Sequence, residues 1–114
     1  MKQLTFILAT ILVVGYSCKA KKSTGSTVST DPTASDLTAV QARIPEATMN
    51  DLSQGHSIFY GACTKCHGAK DVTGYNEEKL KNVIDRMSKK AKLTDPEKDA
   101  VWKFALAKNL NKSH

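Results

Sequence analysis

The sequence predicts an all-α protein, and three observations support this fold class. From residue 50 onwards three segments carry helix signals, and the second of them spaces its apolar residues at i, i+3, i+4 and i+7, as the buried face of a helix requires. Each segment begins at a residue type that caps helix N-termini. No segment alternates apolar and polar residues over the length of a strand. At 114 residues the chain has room for one domain.

The first predicted helix begins at Asn50 or Asp51, since either residue type can cap a helix. It continues through Leu52 and Phe59 and runs into a cysteine-containing motif at residues 63–67. The motif is therefore expected on or directly after a helix.

The second predicted helix begins at Asn76. Glu77 and Glu78 lie in its first turn, where the helix dipole favours negative charge. Its apolar residues form a one-sided stripe at i, i+3, i+4 and i+7: Leu80, Val83, Ile84 and Met87.

The third predicted helix opens with a capping box formed by Thr94 and Glu97, and Pro96 is tolerated in its first turn. Its apolar residues are Val101, Trp102, Phe104, Ala105 and Leu106. The domain is expected over residues 46–114. It is small enough that its own core is marginal, so we expect the polypeptide alone to be poorly folded.

The N-terminus predicts an exported protein. Residues 1–17 have the positive charge and short apolar run of a lipoprotein-type signal peptide, and the run is too short to span a bilayer. Cys18 matches the lipidated cysteine of a bacterial lipobox, although Gly15 replaces the usual aliphatic residue three positions before it. Ordinary cleavage after Ala20 is the alternative. We expect a lipoprotein anchored to a membrane of the bacterial cell envelope and facing the periplasm.

Residues 18–45 are predicted to be a flexible tether. Between residues 23 and 38, nine of sixteen residues are Ser or Thr, so this stretch has little apolar surface to bury. Val40 and Ile44 leave the following residues ambiguous, and they could pack against the domain. Pro45 ends any helix there.

The charge of the chain excludes a nucleic-acid function. The formal net charge is +6, but from Glu46 to the end twelve Lys/Arg face nine Asp/Glu, a net of +3. No basic stretch is interleaved with aromatic residues, as a nucleic-acid surface would be.

The strongest chemical signal is the stretch Cys63-Thr64-Lys65-Cys66-His67. This C-x-x-C-H pattern predicts covalent attachment of one haem c. Cys63 and Cys66 would each form a thioether with a haem vinyl group, and His67 would ligate the iron. A structural zinc site would need a second ligand pair, and a thioredoxin-like site would need a βαβ pattern. The sequence has neither.

Residues 55–67, together with the last helix, resemble the class I cytochromes c. In that family a glycine and an aromatic residue precede the first haem cysteine by eight and four positions, which Gly55 and Phe59 occupy here. The resemblance covers residues 50–110 and implies a small cytochrome c-type fold of three main helices around the haem. It also implies that Gly55 and Phe59 pack on Val101 and Phe104. The family's proline after the motif is missing, so another backbone carbonyl in residues 68–74 is expected to orient His67.

The resemblance implies a methionine as sixth iron ligand, and Met87 is the methionine between the motif and the last helix. The alternative is that Met87 is only the last core residue of its helical stripe. Met49, His56 and the terminal His114 are weaker candidates.

With both axial positions filled, the site would carry single electrons and would not act as an enzyme. We expect a monomer whose partners are unidentified redox proteins and, through the lipid, a membrane. Two alternatives stay open: a haem-bearing subunit of a larger respiratory or dehydrogenase complex, or a gas sensor or peroxidase-like protein if Met87 is not a ligand. Six lysines could ring the haem edge, although a solvated face is the simpler interpretation: Lys65, Lys70, Lys79, Lys89, Lys90 and Lys92.

Overall fold

The computed structural model describes residues 30–112, and within this range all regular structure is helical. The predicted all-α class is confirmed. The described residues form α1 (Ala34–Gln41), α2 (Met49–Tyr60), α3 (Glu77–Lys90) and α4 (Asp95–Asn111), with a 3₁₀ turn at Ala62–Thr64. None of these helices is long and apolar enough to cross a membrane. The predicted signal peptide, Cys18 and His114 lie outside the described residues.

Helix α4 is the central element, because α1, α2 and α3 all pack on it. Two apolar clusters share it. One joins α4 to the ends of α2 and α3 and contains Phe59, Val72, Leu80, Ile84, Val101, Phe104 and Ala105. The other joins α4 to α1 and the start of α2 and contains Val40, Ala47, Leu52, Leu106 and Ala107. Trp102 is half-buried and packs against both clusters.

Helices α2 and α4 cross closely at Gly55. A Cβ atom at this position would lie 2.1 Å from the Ala100 carbonyl oxygen, so only glycine allows this approach. One turn further along, the rings of Phe59 and Phe104 pack with centroids 5.7 Å apart. The predicted packing on Phe104 is confirmed, and Val101 lies in the same apolar cluster as Phe59 and Phe104. The backbone nearest to Gly55 is that of Ala100.

The N-caps of α3 and α4 are as predicted. The Asn76 side chain accepts the Lys79 amide at 2.8 Å, and the Glu97 carboxylate accepts the Thr94 amide at 2.7 Å. The cap of α2 was predicted wrongly. It is Thr48, whose hydroxyl accepts the Asp51 amide at 3.2 Å while the Asp51 carboxylate accepts the Thr48 amide at 2.8 Å.

The prediction of a flexible tether up to residue 45 was wrong for its last part, because α1 lies there. A capping box of Thr33 and Asp36 opens the helix, and Val40 is fully buried against α2 and α4. The Asp36 carboxylate is also buried, 2.8 Å from the Lys108 ammonium and 2.8 Å from the Asn111 amide nitrogen. So short a helix depends on these contacts rather than on its own propensity. Within residues 30–112 the chain is therefore folded from Thr33 onwards and has four α-helices, one more than the three predicted.

Candidate functional site

An open cleft lies between the C-x-x-C-H motif and α3. Its cavity volume is about 50 Å³, inside a wider empty space of about 470 Å³ that includes open solvent. Cys63 and His67 line it from the motif, and Met87 lines it from α3. Its walls are mainly apolar and include Phe59, Val72, Leu80, Val83 and Ile84.

A second pocket adjoins this cleft and includes the other cysteine of the motif. Cys66 lines it together with Cys63, His67 and Met87. The structure therefore brings together the four residues that were predicted to bind the haem and its iron. Both thiols are free, with Cys63 half-buried and Cys66 exposed. Burial raises the pKa of the Cys63 thiol.

The motif begins in a sharp change of chain direction. Helix α2 ends at Tyr60, so the motif follows the helix directly and does not continue it. A Cβ on Gly61 would lie 2.7 Å from the Ser57 carbonyl oxygen. A residue with a side chain would clash here, so glycine permits this backbone conformation at the end of α2. Cys63 lies in the 3₁₀ turn that follows. The Thr64 hydroxyl stabilises this turn by donating to the Tyr60 carbonyl at 2.8 Å.

The ring of His67 is oriented by the next residue in the chain. Its Nδ1 lies 2.9 Å from the Gly68 carbonyl oxygen. Because a carbonyl oxygen only accepts hydrogen bonds, Nδ1 carries the proton in this arrangement and Nε2 keeps its lone pair. Gly68 thus provides the carbonyl that the sequence left open among residues 68–74, and Nε2 is the nitrogen available to a metal.

Met87 lies on the α3 face that lines the cleft. It is half-buried, and among the described residues neither core cluster includes it. The other described candidates for a sixth ligand do not line the cleft. Met49 is 36% exposed at the start of α2, and the His56 Nε2 faces the Asp31 carboxylate at 3.6 Å.

The lysines are distributed unevenly around this region. Lys70 lines the cleft and Lys90 lines the adjoining pocket. The Lys79 ammonium instead lies 5.2 Å from the centre of the Tyr75 ring. The others are exposed: Lys65, Lys89 and Lys92.

The chemistry of the cleft fits a haem group. The Cys63 thiol, an imidazole and a thioether line an apolar cleft, and the Cys66 thiol lines the pocket beside it. These are the groups that attach and ligate haem c. No family model, curated protein or solved structure matches the chain. The functional argument therefore depends on the residues of the cleft and on the sequence motif.

Proposed function

We propose that the protein is a single-electron carrier with one covalently attached haem c. The observation that carries this proposal is that Cys63, His67 and Met87 line one apolar cleft. A haem bound there would supply reversible one-electron transfer between its ferric and ferrous forms.

Each residue has a defined role in this proposal. Cys63 and Cys66 attach the porphyrin through thioethers. His67 ligates through Nε2, held in place by the bond between its Nδ1 and the Gly68 carbonyl. Met87 would hold the iron through its thioether as the second protein ligand, and a His/Met ligand pair raises the reduction potential.

The lining of the cleft favours a carrier over an enzyme. Apart from His67, the described residues that line it include no histidine, arginine or carboxylate. Lys70 and Tyr75 also line it, and their side chains can exchange a proton. Peroxide chemistry would need such a group next to an open iron position. A gas sensor or peroxidase-like protein remains the alternative if Met87 does not bind. A subunit of a larger respiratory or dehydrogenase complex is the other alternative.

The same proposal includes export, lipid attachment at Cys18 and work as a monomer beside redox partner proteins. Because residues 33–45 are folded, the proposed tether is shorter than the sequence suggested. The anchored domain would accordingly reach a shorter distance to its partners.

The ligand assignment is tested with the haem-loaded protein. The oxidised form should show the weak near-red sulfur-to-iron band, Met87→Ala should abolish it, and the matched variant Met49→Ala should retain it. A wild type that lacks the band, or that binds carbon monoxide readily when reduced, would exclude the closed carrier site. Co-purification with other subunits at fixed stoichiometry would favour the complex.

A further inference from the structure

A buried amide side chain on α4 holds the loop that follows the haem motif. Asn109 is 6% exposed, and its Nδ2 donates to the carbonyls of Val72 at 2.7 Å and Tyr75 at 2.9 Å. Both N–H groups of the carboxamide therefore have partners in the loop. Two such bonds in a buried position hold the loop more firmly than exposed contacts do.

This loop forms one wall of the cleft. Residues 68–76 have no regular secondary structure, yet Gly68, Val72 and Tyr75 all line the cleft. Val72 of the loop also packs into the apolar cluster on α4, whereas the hydrogen bonds of Asp71 and Thr73 are exposed. Asp71 accepts the Thr73 amide at 2.8 Å within the loop itself, and the Lys112 ammonium contacts the Thr73 carbonyl.

We propose that Asn109 is the positioning residue of the cofactor cleft, fixing the loop against α4 and thereby controlling how far water reaches the haem. This inference rests on the proposed function. A closed loop keeps the iron in a medium of low dielectric, where the extra positive charge of the ferric form is disfavoured. Burial is one of the means by which a protein tunes a haem potential. Asn109 therefore raises the reduction potential without touching the iron.

The test compares two substitutions at the end of α4. Asn109→Leu keeps the approximate volume but removes both donors to the loop. The matched control is Asn111→Leu, because the Asn111 amide donates to Asp36 at 2.8 Å and to Ser35 at 3.2 Å, both on α1. Redox titration of the haem-loaded proteins gives the potential, and hydrogen exchange reports on residues 68–76.

Asn109→Leu should shift the equilibrium between oxidised and reduced protein towards the oxidised form on the order of tenfold, about 59 mV for one electron. It should also accelerate amide exchange in residues 68–76. Asn111→Leu should lower the melting temperature and leave the potential at the wild-type value. Equal shifts in both variants, or no shift in either, would overturn the proposal.

If Asn109→Leu does not mature, Asn109→Ser is measured instead. Its single donor should give a potential between those expected for wild type and Asn109→Leu, and a wild-type potential would overturn the proposal. A wild type that cycles reversibly, while the Asn109 variant that matures keeps the wild-type potential, refutes this inference alone. If the wild type carries no haem, the proposed function fails. In that case, amide exchange of residues 68–76 in Asn109→Ser at the wild-type rate refutes the positioning role as well.

Discussion

Gly55→Ala tests the helix crossing on which the fold depends. The added Cβ would lie 2.1 Å from the Ala100 carbonyl oxygen and 2.7 Å from the Phe104 Cβ. Relaxed contacts between carbon atoms are about 3.5–4.0 Å. The oxygen belongs to the backbone of α4 and accepts within that helix, so it cannot swing aside as a flexible side chain would. Helices α2 and α4 would have to separate.

The expected loss of stability follows from two opposing effects. Overpacking a well-packed contact costs about 1–3 kcal/mol, and the upper end applies here because backbone must move. Alanine recovers up to ~1 kcal/mol through its higher helix propensity. The net loss in unfolding free energy should be about 2–3 kcal/mol. For a domain of this size that lowers the melting temperature by roughly 10–20 °C.

Thermal melts followed by circular dichroism measure the effect on protein prepared as for the wild type. Gly74→Ala is the matched control, because a Cβ there meets nothing within 4 Å and the residue has no positive φ. We expect the control to stay within about 0.5 kcal/mol of the wild type. A Gly55→Ala protein as stable as Gly74→Ala would refute the close crossing.

Three further predictions concern the contacts of Asp36 on α1 with α4, and the stability of the protein without haem. Asp36→Ala should cost about 3 kcal/mol in chemical denaturation, because it breaks a buried ion pair with Lys108, and an unchanged midpoint would contradict this. Burial raises the pKa of the Asp36 carboxyl, but the hydrogen bonds donated by Lys108 and Asn111 outweigh it, so the pKa lies below its ordinary 3.8. The stability that this carboxylate contributes is thus fully present above about pH 3.8 and is lost as the pH falls through the folded-state pKa. Chemical denaturation at a series of pH values from about 5 to 2 should show this loss in the wild type and a smaller loss in Asp36→Ala. Haem-free protein should melt without a cooperative transition, since the apolar lining of the cleft would be left in water, and a native-like cooperative melt would contradict that.

The parts of the fold that local signals determine could be predicted from the sequence. Asn76 and Thr94 begin their helices as expected, because each cap uses residues only three positions apart. Helix α1 depends instead on contacts with α4 across most of the chain, such as the bond between Asp36 and Lys108. The spacing of Thr33 and Asp36, with Val40 four residues later, was the available signal.

The candidate site also contains residues that local sequence signals predict and residues that only the folded chain reveals. The motif residues and Met87 were found from spacing and from the family resemblance, and they do line a common region. The role of Asn109 could not be found, because its partners Val72 and Tyr75 meet it only in the folded chain. The Gly68 carbonyl was one of several possible acceptors for His67, and only the backbone conformation selects it.

The central claim, a haem attached through Cys63 and Cys66, is tested most directly by intact mass. The full chain is produced in a host with the haem-attachment machinery and analysed under denaturing conditions, beside a Cys63→Ser/Cys66→Ser variant. The account predicts one haem per chain that survives denaturation in the wild type and is lost in the variant. A wild type that matures in this host without a covalently bound haem would contradict it.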